Sequence, residues 1–197
     1  MSRTIAFFDF DGTITTRDSL LEFIKYVKGK PAFYFGFALH SPILVAYKLG
    51  VFSNQRAKEM MLRYFFRNMP VEQFNSFCRS FAADIVPSLV RPKAAKEITA
   101  LQNAGAQVVV VSASPENWVH YWCAENGLTC IATRLINEKG VLTGRIDGVN
   151  CHGEEKVRRI RESFDLSQFN EIYCYGDTSG DKPMLALGTK HFFRPFR

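Results

Sequence analysis

Two aspartates separated by one residue, Asp9 and Asp11, follow the apolar run Ile5-Ala6-Phe7-Phe8 and precede Gly12. Such a run is β-prone and buried, so it carries the pair to the end of a strand, where Gly12 lets the backbone turn sharply. The segment YGDTSGD (175–181) repeats the design with an apolar strand, a glycine turn and two more acids, Asp177 and Asp181. A lone aspartate usually caps a helix or closes a turn. Two strand-end pairs point instead to a site, and carboxylates gathered there are costly without a cation. A hard ion such as Mg²⁺ prefers oxygen ligands and binds through one or two carboxylates together with phosphate and water, so metal and phosphate are expected together.

A phosphoryl site also needs donors and positive charge. Ser112, closing the run Val108-Val109-Val110-Val111, offers a hydroxyl and a strand-end amide, and Lys156 offers the charge. Either residue alone is ordinary, a turn serine or a surface lysine. Their place in the order of the chain gives them meaning.

The elements needed to hold these groups alternate. Strands are expected at 5–8, 107–112, 130–134, 172–175 and 191–193, and helices at 92–105, 114–127 and 154–164. Ser114 and Pro115 suit the N-cap and first turn of the second of these helices. This pattern implies an α/β fold: a parallel, Rossmann-like sheet with helices on both faces and ligands at the carboxyl ends of the strands. Residues 134–146 alternate around Glu138-Lys139-Gly140, which predicts a β-hairpin decorating the edge of the core.

Residues 17–90 hold almost no strand signal but several helical stripes, such as Leu20, Phe23, Ile24 and Val27, then Met61, Tyr64 and Phe65, then Phe74, Cys78 and Phe81. The expected organisation is a core of residues 1–16 and 91–197 with a helical cap, 17–90, inserted over the strand ends.

FDFDGTIT (8–15), VVVSAS (109–114), GEEKV (153–157) and YGDTSGDKPML (175–185) occur in the order of the four motifs of haloacid dehalogenase (HAD) superfamily phosphatases, which this chain resembles. A helical cap directly after the first motif is similar to the phosphoserine-phosphatase-like branch. The resemblance implies Asp9 as nucleophile and Asp11 as general acid and base. It implies Ser112 and Lys156 as phosphate ligands, Asp9, Asp11 and Asp177 as the Mg²⁺ site, and Asp181 as an accessory acid. An aspartate two residues after the nucleophile, rather than threonine, separates the family's phosphatases from its P-type ATPases. The implied activity is hydrolysis of a phosphate monoester through a phosphoaspartyl intermediate, with Asp11 protonated at the start. A phosphate-binding protein without turnover is the alternative from another class, and the intact acids speak against it.

The 25 Lys and Arg against 19 Asp and Glu suit an anionic substrate or an acidic membrane surface. No basic block is interleaved with aromatics, which argues against nucleic acid. His40, His120, His152 and His191 show no metal-ligand spacing. Trp118 and Trp122 have the helical spacing of core residues. Cysteines 78, 123, 130, 151 and 174 are odd in number, form no CxxC pair and follow no cleavable signal, so reduced thiols and a cytoplasmic setting are expected.

The stretch 31–52 is the most apolar, yet His40, Pro42 and Lys48 interrupt it, so a cap helix is expected rather than a membrane span. Its aromatics Phe33, Tyr34, Phe35 and Phe37 are either cap core or an outward greasy surface. The second case would suit a lipid phosphate and peripheral membrane contact, similar to the cap of HAD phosphatidylglycerophosphate phosphatases. Glu22, Lys25, Arg56 and Arg63 are the cap's candidates for clamping a small charged substrate.

Overall fold

The computed structural model describes residues 3–48 and 53–197; residues 49–52 of the apolar stretch lie outside the described residues. In chain order the elements are β1 (Thr4–Phe8), α1 (Ser19–Lys48), α2 (Asn54–Phe66), α3 (Val71–Asp84), α4 (Val86–Leu89), α5 (Pro92–Asn103), β2 (Gln107–Pro115), α6 (Glu116–Glu125) and β3 (Thr129–Thr133). A hairpin, β4 (Leu135–Glu138) and β5 (Val141–Ile146), precedes α7 (Glu154–Ser163), β6 (Glu171–Gly176), α8 (Lys182–Leu185) and β7 (Lys190–Phe193).

The five main strands pair in parallel in the order β3-β2-β1-β6-β7. Alternating residues serve its two faces. Ala6, Phe8, Val108, Val110 and Tyr175 join α5, α6 and the inserted helices, while Ile5, Phe7, Val109, Val111 and Cys174 meet α7 and α8. Burial on both faces is why the strands read as unbroken apolar runs. From β1 the chain proceeds outward to β2 and β3, then returns to the other side of β1 with β6. The resulting crevice opens at the carboxyl ends of β1 and β6, where α/β sheets bind ligands.

Helices α1 to α3 share the first of these cores. Phe23 packs edge-on to Phe74 and Phe81 and stacks on Trp118 at 4.6 Å, so both tryptophans, Trp118 and Trp122, are core residues. The chain enters and leaves this insert through adjacent segments. Thr16 N donates to Leu89 O at 2.8 Å and Arg91 N to Ile14 O at 2.8 Å, around a bridge between Thr15 and Val90.

Two local expectations are corrected. Ser114 does not cap a helix: β2 runs on to Pro115, α6 begins at Glu116 without a side-chain cap, and the Ser114 hydroxyl turns to Asp11. The hairpin does not decorate the sheet edge. It packs on α2 and the turn after it, with Asn68 N donating to Leu142 O at 2.9 Å and Ile146 N to Glu59 Oε1 at 2.9 Å. Among the described residues no helix is long and apolar enough to cross a membrane.

Candidate active site

Asp9 and Asp177 directly follow β1 and β6, and Asp11 and Asp181 lie in the turns after them. Asp9 follows β1 and donates its backbone N–H to Tyr175 O at 2.9 Å, extending the β1–β6 ladder by one residue. Asp177 follows β6 and faces the turn after Asp9. A Cβ on Gly12 would lie 2.6 Å from Asp177 Oδ2, and φ there is +84°, so only glycine allows both the turn and the approach. Carboxylate oxygens of Asp9, Asp177 and Asp181 lie within 4.8 Å of one another, all three residues buried.

Lys156, 1% exposed, is aimed into this group from the first turn of α7. Its ammonium donates to Asp9 Oδ1 at 2.6 Å and to Asp181 Oδ1 at 2.8 Å. Asp9 Oδ2 accepts from the Thr13 hydroxyl at 3.0 Å, which also lies 3.3 Å from Asp177 Oδ1. Asp181 Oδ2 accepts from the Asp177 and Thr178 amides at 3.1 and 2.9 Å, so both of its oxygens are engaged in holding the loop and the lysine. From β7 and the residues after it, Arg194 Nε donates to Asp177 O at 3.0 Å, and the Arg197 guanidinium pairs with Asp177 Oδ2.

Burial opposes the charge on Lys156, but its two carboxylates outweigh it and hold the ammonium above its ordinary value. Burial pushes the Asp9 carboxyl up against the pull of Lys156, with Asp181 and Asp11 adding to the rise. Lys156 holds its charge between the two acids, while burial makes Asp9 the harder of the two carboxyls to ionise. Asp181 is held below its ordinary value: burial works against ionisation there, but Lys156 and the Thr178 donors prevail. Three buried carboxylates therefore face one buried lysine and a half-exposed arginine. Hard oxygen donors short of positive charge fit Mg²⁺.

Asp11 belongs to a different environment. Its carboxylate is outside the Asp9–Asp177–Asp181 group and faces the insert, accepting from Ser19 N at 2.6 Å and from the Ser114 hydroxyl at 2.5 Å. Trp118 Nε1 donates to Ser19 Oγ at 3.0 Å, which lies 3.1 Å from Ser114 Oγ, so buried donors fix the rotamer of Asp11 from behind. Ser112 is fully buried, and its hydroxyl accepts from Ser114 N at 3.0 Å, shaping the loop after β2.

The insert contributes Lys58, which sequence reasoning missed. Reaching down from α2, it donates to Ala113 O at 2.7 Å beside the serine loop and lies 3.4 Å from Asn150 Oδ1. Enclosure pulls its ammonium below the ordinary lysine value, while Asp18 and Asp11 pull it back. Asp18, exposed, caps α1 through Leu21 N at 3.1 Å. Of the charged residues expected as a clamp, Glu22 and Lys25 pair with each other at 2.9 Å and Arg63 pairs with Glu59 at 3.9 Å, while Arg56 is exposed.

The model for haloacid dehalogenase-like hydrolases matches residues 6–186, which include all the site residues above except Arg194 and Arg197. The chain belongs to this family. It is 39% identical to the protein CicA of Caulobacter vibrioides (strain NA1000 / CB15N), over 96% of this chain and 85% of that protein. Identity to the probable phosphatase Rv3661 of Mycobacterium tuberculosis (strain H37Rv) is 35%, over 100% of this chain and 70% of that one. The HAD fold is shared with a substrate-bound phosphoserine phosphatase, with a TM-score of 0.66 at 20% identity over 98% of this chain and 86% of that one.

Proposed function

We propose that this HAD-family hydrolase is a Mg²⁺-dependent phosphatase that hydrolyses a phosphate monoester through a phosphoaspartyl intermediate on Asp9. The observation that carries the reading is the contrast between its two neighbouring acids. Asp9 is pinned by Lys156 and Thr13 among the buried carboxylates, and Asp11 is oriented by Ser114 and Ser19 toward the insert. One is placed to attack and the other to move protons.

In the first half-reaction an Asp9 oxygen attacks phosphorus, the bond to the ester oxygen breaks, and the departing alkoxide takes the proton of Asp11. In the second, Asp11 accepts a proton from water as that water attacks the phosphorus of the acyl phosphate. Asp9 is released as carboxylate, with inorganic phosphate as product. Lys156 and the donors around Ser112 would hold the phosphoryl oxygens. Asp9 and Asp177 would hold Mg²⁺, which would supply charge neutralisation on the transferring group; the Asp11 side chain, expected as a third ligand, is turned to Ser19 and Ser114 instead. Asp181 acts as the accessory acid, keeping Lys156 and the Asp177 loop in position.

We further propose that residues 17–90 act as a cap on a core of residues 1–16 and 91–197. The paired segments at Thr16–Leu89 and Ile14–Arg91 support a neck at these boundaries. Lys58 and Asp18 then line the side from which the organic part of the substrate enters. A cytoplasmic setting with reduced thiols belongs to this reading on the odd number and spacing of the cysteines. Steady-state hydrolysis of p-nitrophenyl phosphate with Mg²⁺ and with excess EDTA tests the proposal. Turnover that vanishes in EDTA and returns with Mg²⁺ is expected, and undiminished turnover in EDTA or none with Mg²⁺ contradicts it.

A further inference from the structure

Helix α1 changes direction at Gly29, where φ is 79° and ψ 157°, and resumes with Pro31 in the opening turn, where a missing N–H costs nothing. Beyond the kink it has two apolar sides. One is inward: Phe33 is 6% exposed, Gly36 lies against the rings of Phe65 and Tyr64, and Phe37 packs on the core. The other is outward. Tyr34, Phe35 and Leu39 are 63%, 67% and 58% exposed, with exposed Pro31, Ala38 and Pro42 between them. At 100° per residue these six positions cover an arc of about 140°, without a charge or an amide side chain among them. Single exposed apolar residues need no explanation, but a contiguous aromatic patch does.

The charge around the patch favours one occupant. Between Glu22 and Glu59 the sequence has no acidic residue; it has Lys28, Lys30, Lys48 and Arg56 there, with Lys30 and Arg56 exposed, besides Lys25, which pairs with Glu22, and Lys58, which turns into the crevice. The Lys28 ammonium lies 5.6 Å from the Phe66 ring, and Lys30, one residue before Pro31, is exposed at the start of the patch. A second copy meeting this face would bring two basic fields together. An anionic bilayer is attracted by the same field, and aromatic side chains settle at its headgroup level.

We propose that the outward face of α1 docks on an anionic lipid surface, lying on the membrane without crossing it. Resting on the phosphatase reading, we add that the enzyme's substrates are phosphate monoesters presented at that surface. The helix is tied to the site at both ends. Ser19 N donates to Asp11 at its start, and five residues separate its end from α2, which carries Lys58 to Ala113.

Co-sedimentation of the full chain with phosphatidylcholine vesicles, with and without phosphatidylglycerol, tests the docking. Binding is expected only with phosphatidylglycerol, weakening as salt rises, and unchanged by excess inorganic phosphate. Release by phosphate would place the contact in the catalytic crevice and overturn the proposal. The double variant Tyr34→Ser, Phe35→Ser should lose binding about tenfold or more while keeping its melting temperature and its turnover of p-nitrophenyl phosphate. Equal binding by that variant, or none by the unmodified chain, overturns the docking. So does a concentration-dependent dimer in sedimentation velocity that the variant abolishes without any vesicle binding, since the face then serves a second copy. Asp9→Asn should bind vesicles as the unmodified chain does. Failure of the phosphatase reading would therefore show in turnover and leave the sedimentation result intact.

Discussion

At the carboxyl ends of β1 and β6 nearly every polar atom has a fixed partner: Lys156 bridges Asp9 and Asp181, Thr13 serves Asp9 and Asp177, and backbone amides hold Asp181. The second half of α1 is the opposite case. Among its described residues, Tyr34, Phe35 and Leu39 are exposed, while Phe33 and Gly36 pack against the rings of Phe37, Phe65 and Tyr64. A preorganised site can recognise only what its fixed donors match, here the phosphoryl group common to many substrates. Under the proposed function, discrimination would fall to the insert, where Lys58 reaches the serine loop and the aromatic face meets the exterior. The two regions should fail in different ways when altered.

The largest effect belongs to the crevice. Asp9→Asn should lower turnover by about a thousandfold or more, because the amide keeps the shape and loses the nucleophile. Circular dichroism should remain that of the parent chain. An active Asp9→Asn protein would break the comparison at its root.

Lys156→Ala should come next, and through stability as well as rate. It leaves Asp9 and Asp181 buried without their shared cation, which costs about 3 to 5 kcal/mol when one partner of a buried ion pair is removed. Urea unfolding measures this, and a loss below about 1 kcal/mol would mean that the lysine is less committed than its two short bonds imply.

In the insert, Gly36→Ala should cost about 1 to 3 kcal/mol, because a Cβ there overlaps the Phe65 and Tyr64 rings. The crevice should not notice. Turnover of p-nitrophenyl phosphate per folded molecule is expected to match the parent, and a large loss would show that the two regions are coupled more tightly than their separate contacts suggest.

The smallest effect is expected at Arg197, whose half-exposed guanidinium pairs with Asp177 and so occupies a carboxylate proposed to hold Mg²⁺. Arg197→Ala should tighten Mg²⁺ binding about two- to fivefold, the range expected of a partly exposed ion pair. Calorimetric titration of the metal reads this without turnover. Weaker binding would make Arg197 a support of the site rather than a competitor.

Groups whose position follows from a strand and the turn after it were legible in the sequence. Asp9, Asp11, Ser112, Asp177 and Asp181 are placed by local pattern, and the five strands formed within a few residues of their expected bounds. Partners supplied from far along the chain were not legible. Ser114 had a reasonable local reading as an N-cap, but the Asp11 carboxylate, 103 residues away, claimed its hydroxyl. Lys58 looks like any lysine on an amphipathic helix until the 55-residue separation from Ala113 is closed. The hairpin's apolar alternation was clear, yet nothing in it distinguishes a sheet edge from the side of α2. The direction of Tyr34 and Phe35 was hidden for a related reason: a segment apolar on all sides has no periodic signal to say which side is buried.

The central claim is that Asp9 carries the phosphoryl group. Acid-quenching the chain during turnover of a phosphate monoester with Mg²⁺, followed by peptide mass spectrometry, tests it directly; Asp11→Asn should increase the trapped fraction because the water that opens the intermediate loses its base. A phosphoryl adduct is expected on Asp9 and on no other residue. An adduct on a different side chain, or turnover with no covalent adduct in either the parent chain or the Asp11→Asn variant, would contradict it.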